Sequence, residues 1–342
     1  MSTTIKKRES NFELLRIVLM LLVLLIHYIP VRVANLTGGY NLTTDITWDI
    51  IHLELNSLAF VCVNSFVLIS GYFGIKLKLR SFLNLIFQMI FWSAMCIIIA
   101  ITFFDIQINS IIKTFAQNII YGWFPEAYLI LFIVSPILNA FVKSCTNKEL
   151  GYYILLFYLL STIGGYLMRF QNFNEGMSAL SLIGLYLIGA YLKETEIKLF
   201  TLKAKYNLMI YLTLGFCMVI FSIILIKIGV TSSLYGYLNP VIILMSIYIF
   251  LFFRKINIGY SKPINFLSAS AFSIYLFHVN PIIIIEIRKI WSYIDLHYSM
   301  TESLLLAFVS FIAIYLFCVA IDRIRIFIFK HCIIKLSVKF KV

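Results

Sequence analysis

Charge is scarce in this chain. Asp, Glu, Lys and Arg make up only 13% of its 342 residues, against about 25% in a soluble globular protein. Acidic groups are the rarer, 15 against 28 Lys and Arg, which leaves a formal charge of +13. With 62% apolar residues and a mean hydropathy of +0.97, a soluble globular protein is excluded and an integral membrane protein is expected. Cysteine is sparse as well: the six, at 62, 96, 145, 217, 318 and 332, show no CxxC or CxxH spacing. That excludes a disulfide framework and a zinc site, and buried free thiols are expected. Walker, HExxH, GxSxG and paired metal-ligand helix motifs are all missing. ATP-driven transport and metalloprotease chemistry are therefore unsupported, and no metal is expected. No fixed-period repeat and no low-complexity linker occurs.

What is present is a series of apolar runs with polar connections. They predict an all-α, polytopic membrane helix bundle of about ten spans, near 12–30, 50–73, 81–103, 124–142, 152–168, 177–192, 206–228, 236–253, 264–286 and 302–321. The whole chain, 1–342, reads as a single membrane domain without a soluble one. In this arrangement six cations (Arg32, Lys113, Arg169, Lys227, Arg288, Lys289) fall in outer segments and Arg16 in the first span. The other twenty-one of the 28 are inner. An inside excess of that size predicts two cytoplasmic termini. It also accounts for the positive charge without a nucleic-acid partner. The cluster Lys6-Lys7-Arg8 precedes a run too long for a signal peptide, so an uncleaved anchor is expected. The basic residues after span ten suit an interfacial helix on anionic membrane lipids.

The stretch Asn11–Tyr28, NFELLRIVLMLLVLLIHY, carries a cation and an imidazole eleven residues apart. At about 100° and 1.5 Å per residue, Arg16 and His27 share nearly one face and stand about 16 Å apart. Titratable groups in hydrocarbon usually face a bundle interior, a polar cavity or a partner. Snorkelling of Arg16 to lipid phosphates and a packed, non-catalytic His27 are the bland alternatives. Three further patches stand out. Asn64–Phe73 ends in SGYF, where Ser70 and Gly71 suit close helix packing. Lys76, Lys78 and Arg80 follow, read equally as orienting charge or as phosphate-binding groups. Trp123, Phe124 and Glu126 lead into span four, as an interfacial belt or as a platform for sugar rings. In span nine, FSIYLFHVNP brings His278 to a depth similar to that of His27, although Asn280 and Pro281 beside it leave a purely structural role open.

These four patches, in this order, resemble the acyltransferase-3 family of integral membrane acyltransferases. The most specific element is the Arg-x10-His spacing of LRIVLMLLVLLIH; SGYF, WFPE and FSIYLFHVNP support it. The resemblance covers essentially the whole chain and implies transfer of an acyl group, usually acetyl, from cytoplasmic coenzyme A to carbohydrate outside. By that resemblance His27 is the essential histidine and Arg16 the coenzyme-side arginine. His278 becomes a second catalytic candidate, Lys76, Lys78 and Arg80 cofactor-binding candidates, and Trp123, Phe124 and Glu126 substrate-binding candidates. The family's basic motif after span two is commonly richer in arginine, whereas only Arg80 is one here. Some relatives carry an added hydrolase-like domain, and none is expected here.

A thioester is already activated, so transfer to a hydroxyl requires a base and stabilisation of the developing oxyanion. Imidazole titrates near neutral pH and suits that base, or alternatively a nucleophile. The expected function is thus a membrane O-acetyltransferase with acetyl-CoA as donor and a surface or lipid-linked polysaccharide, of capsule or exopolysaccharide type, as acceptor. The rival is a transporter or flippase of a lipid-linked saccharide, against which stand the lack of a repeat and of a matched pair of broken helices. The Ile/Lys/Asn-rich composition points to a bacterial plasma membrane. Two Asn-x-Thr matches, at Asn35 and Asn41, are then expected to be unglycosylated.

Overall fold

In hydrocarbon a backbone must satisfy its own hydrogen bonds, which favours helices. The computed structural model describes residues 9–29, 46–104, 111–195, 201–228 and 234–333, and among these no strand occurs. The helices are α1 (Ser10–Tyr28), α2 (Ile46–Ala59), α3 (Cys62–Phe73), α4 (Leu79–Phe103), α5 (Ile111–Ile119), α6 (Trp123–Ser144) and α7 (Asn147–Leu160). They continue as α8 (Ala179–Glu194), α9 (Ala204–Lys227), α10 (Pro240–Lys255), α11 (Lys262–Ser268), α12 (Ala271–His278), α13 (Pro281–His297) and α14 (Met300–Ile328). The Lys6-Lys7-Arg8 cluster, both Asn-x-Thr sites and the last nine residues of the basic tail lie outside the described residues.

Among the described residues seven helical stretches are long and apolar enough to cross a membrane, or eight if one bent pair counts as a span. The other two expected spans correspond to α8 and α10, of 16 residues each. Their rise of about 24 Å is less than a bilayer core of about 30 Å. Both are mostly buried within the protein.

Two expected spans have different ends. The ninth, expected to run unbroken over 264–286, is broken: Lys262–His278 and Pro281–His297 meet at 89°. Pro281 cannot donate to the preceding turn, and Asn280 Oδ1 accepts from the Ile282 backbone N–H at 3.1 Å, so a new helix starts there. The tenth does not end at 321. It continues to Ile328, because Asp322 and Arg325 are buried together instead of opening a polar tail.

The chain forms two compact units. The first comprises residues 1–75 and 134–269, the second 76–133 and 270–342. In the first unit α3 and α8 touch backbone to backbone. A Cβ on Gly71 would lie 2.0 Å from the Tyr186 carbonyl oxygen, and one on Gly189 2.3 Å from that of Leu68. Small residues permit this approach, so Gly71 of the SGYF stretch is a packing residue. Where α3 ends, the Ile75 N–H donates to the Tyr186 hydroxyl at 2.9 Å. That hydroxyl donates to Asn139 Oδ1 at 2.7 Å, and the Asn139 amide donates to the Ile75 carbonyl at 2.8 Å. Side chains also fasten α9 to α2: Tyr211 donates to the Leu58 carbonyl at 2.7 Å, and Ser57 to that of Gly215 at 3.1 Å.

The second unit is centred on a charge. Asp322, with no exposed surface, accepts from Ser270 at 2.8 Å, Ser273 at 2.6 Å and Arg325 at 2.5 Å. Gln88 donates to Ser273 at 2.6 Å, Arg325 to Asn84 Oδ1 at 2.9 Å, and Arg323 to Ser270. This network joins α4, α12 and α14.

Candidate functional site

α1 is a single unbroken helix from Ser10 to Tyr28, so Arg16 and His27 do lie on one ridge about 16 Å apart. Phe12, Leu15, Leu19, Met20, Val23 and Leu24 are buried in the first unit, where α1 packs against α3, α10 and α11 among others. Arg16 is 30% exposed at its side chain, and Nη1 pairs with Glu13 Oε1 at 2.5 Å. Glu13 was not singled out from the sequence. It is buried, and its second oxygen accepts from the Ser268 hydroxyl of α11 at 2.6 Å. A buried carboxylate is costly unless paired and hydrogen-bonded; here Arg16 and Ser268 supply both. The Glu13–Arg16 spacing of three, one helical turn, is the signal by which the sequence could have revealed the pair.

His27 is half-buried, and its Nδ1 lies 2.8 Å from the Val23 carbonyl oxygen. A carbonyl only accepts, so Nδ1 carries the hydrogen there, and in the neutral ring Nε2 holds the lone pair. His278 makes the same contact, Nδ1 to the Ile274 carbonyl at 2.6 Å, but is fully buried. His297 and His331 repeat the pattern on exposed turns. The contact is therefore ordinary for a helical histidine, and the partial burial on an apolar span is what sets His27 apart.

His278 belongs to the second unit, and there the structure brings it into one aromatic cluster with the WFPE stretch. The Tyr275 ring stands edge-on to His278 at 5.9 Å and lies 5.2 Å from Phe124. Gly122, at φ +85°, lets the chain turn into α6 beside the Tyr275 hydroxyl. Phe124 is buried between Tyr275 and Tyr128, while Trp123 stays half-exposed and Glu126 exposed. Trp123 is thus the ring of this stretch with a face toward the surroundings. Lys76, Lys78 and Arg80 are exposed at the start of α4, also in the second unit. Arg80 lies one turn before Asn84, which accepts from Arg325.

Chemically, α1 offers an anion-binding group tethered by a carboxylate, and, three turns on, an imidazole with a basic nitrogen. A family model described as "Acyltransferase domain" matches residues 9–323, nearly the whole chain. No curated protein and no solved structure matches.

Proposed function

Since the chain belongs to this family of membrane acyltransferases, we propose that it moves an acetyl group from cytoplasmic acetyl-CoA to a hydroxyl of a polysaccharide at the outer surface of a bacterial plasma membrane. The observation that carries the donor assignment is the spacing on α1. From the diphosphate of coenzyme A to its sulfur runs a chain of about thirteen bonds. An extended chain gains about 1.2 Å per bond, hence about 16 Å. Arg16 and His27 stand about 16 Å apart on the same face. With the diphosphate held at Arg16, the thioester reaches His27.

His27 Nε2 then takes the proton of the attacking sugar hydroxyl. The hydroxyl oxygen bonds to the acyl carbon, the carbon–sulfur bond breaks, and the proton passes from His27 to the departing thiolate, leaving free coenzyme. Lys76, Lys78 and Arg80 form an exposed basic set of the second unit that attracts phosphates. Trp123, supported by buried Phe124, stacks a sugar ring, and Glu126 accepts from a sugar hydroxyl. His278, in the second unit, is a further candidate for proton transfer, its Nδ1 held by the Ile274 carbonyl. The acceptor is a lipid-linked or membrane-held saccharide.

The rival transporter reading gains one point from the helix break at Asn280–Pro281, since discontinuous helices line transport sites. One experiment separates the two. Purified protein given acetyl-CoA and a membrane-bound saccharide should release free coenzyme and acetylate the saccharide, as a transporter does not. His27→Gln should insert normally and lose transfer by about 10²–10⁴-fold. Near-normal acetylation by that variant would sink the assignment.

A further inference from the structure

Where α11 lies along the first turns of α1, the buried side-chain polar atoms are paired with one exception. Ser10 Oγ accepts from the Ser261 backbone N–H at 2.8 Å and from the Asn265 amide at 3.1 Å. Ser268 donates to Glu13, and Glu13 holds Arg16. The remaining atom of the Asn265 amide, Oδ1, is buried and has no hydrogen-bond partner. Exchanging the amide's oxygen and nitrogen moves the deficit without removing it, because only one of the two atoms reaches Ser10. A buried polar atom in this state costs about 1–3 kcal/mol. Leucine, of the same branching though larger, would carry no such cost.

The location gives the deficit a use. Asn265 bonds to Ser10, six residues before Arg16 on α1 and so about 9 Å along the axis, on the side away from His27. With a thioester at His27 and a diphosphate at Arg16, the adenosine phosphate end of the donor lies next on that side. This end offers ribose hydroxyls, an exocyclic amine and a phosphate. Lys262 is exposed on the same short helix, three residues before Asn265. Asn265 as a whole is half-buried, and a change of rotamer at its first side-chain torsion carries the amide outward.

We propose that Asn265, with Lys262, reads the nucleotide end of the acyl donor, so that α11 makes the protein prefer a nucleotide-bearing thioester to a bare pantetheine thioester. The inference rests on the assignment of Arg16 and His27 to the donor. In its test, the purified full-length protein is titrated calorimetrically with coenzyme A, and donor use is compared between acetyl-CoA and S-acetylpantetheine, which lacks the nucleotide. Asn265→Leu should weaken coenzyme A binding about tenfold and lower the acetyl-CoA over S-acetylpantetheine preference by the same factor, while its Tm stays level or rises. Lys262→Gln, at an exposed position, should reduce the salt dependence of coenzyme A binding. Coenzyme A affinity and donor preference both unchanged in Asn265→Leu and Lys262→Gln would overturn the proposal. So would equal weakening of both donors with a lowered Tm. Wild-type protein that neither binds coenzyme A nor uses either thioester would remove the donor assignment itself, and this inference with it.

Discussion

Asp322 and Arg325, one turn apart on α14, form an ion pair of 2.5 Å with at most 3% of either side chain exposed. Breaking such a pair strands a charge, which costs about 3–5 kcal/mol, whereas replacing both partners with apolar residues is often neutral. Asp322→Leu alone should therefore lower the Tm of detergent-purified protein sharply. Asp322→Leu with Arg325→Met should recover much of the loss. A double variant no more stable than the single one would show that Ser270 and Ser273, and not the guanidinium, are what Asp322 serves.

The same logic alters how Arg16 must be tested. Arg16→Ala removes the cation beside buried Glu13, so lost activity and lost stability arrive together. Arg16→Lys keeps the charge but not the planar fork. It should raise the donor KM about tenfold with little change in Tm. Glu13→Gln combined with Arg16→Ala should restore stability without restoring donor use. An unchanged donor KM in Arg16→Lys, with normal Tm, would return Arg16 to a purely structural role beside Glu13.

Gly71→Ala should fail even though alanine favours helix. Its methyl would lie 2.0 Å from the Tyr186 carbonyl oxygen, and backbone on both sides cannot yield cheaply. Overpacking of this kind costs about 1–3 kcal/mol or more. The check is thermal unfolding, with Gly259→Ala as comparison, where no atom lies within 4 Å of the added Cβ, although its φ of +67° adds local strain. Equal Tm in the two variants would contradict the contact.

Orientation follows from the distribution of Lys and Arg. Reporter fusions after Lys205 and after Val342 should read as cytoplasmic, and an insertion near Thr37 as external. An external signal from Val342 would require an odd number of spans.

The apolar runs were legible because a window of some twenty residues carries its own message, and they fall on helical stretches, the ninth of them broken at Asn280–Pro281. What escaped were relationships between distant positions. Glu13 and Ser268 are 255 residues apart, Asn84 and Arg325 241, and nothing local marks either pair. The residues from Asp322 onward read as an interfacial basic tail because burial of Asp322 depends on Ser270 and Ser273, some fifty positions away. Pro281 was visible, but a proline alone does not tell a kink from a break; the Asn280 cap makes it a break. At the candidate site, the Arg16–His27 ridge needed only helical geometry, whereas burial of Phe124 and exposure of Trp123 depended on Tyr275 and Tyr128.

The pairing of Glu13 with Arg16 also has a consequence in time. Their separation of three residues means that both leave the ribosome together, whereas Ser268 follows Glu13 by 255 residues. At about 5–20 residues per second, that delay is on the order of 10–50 s. Throughout it, α1 presents the bilayer with a self-neutralised couple near its start instead of a naked carboxylate and a naked guanidinium, groups that are costly in hydrocarbon. The first helix can thus be laid into the membrane early and left to wait, its charges already matched, until the last third of the chain arrives to complete its polar end.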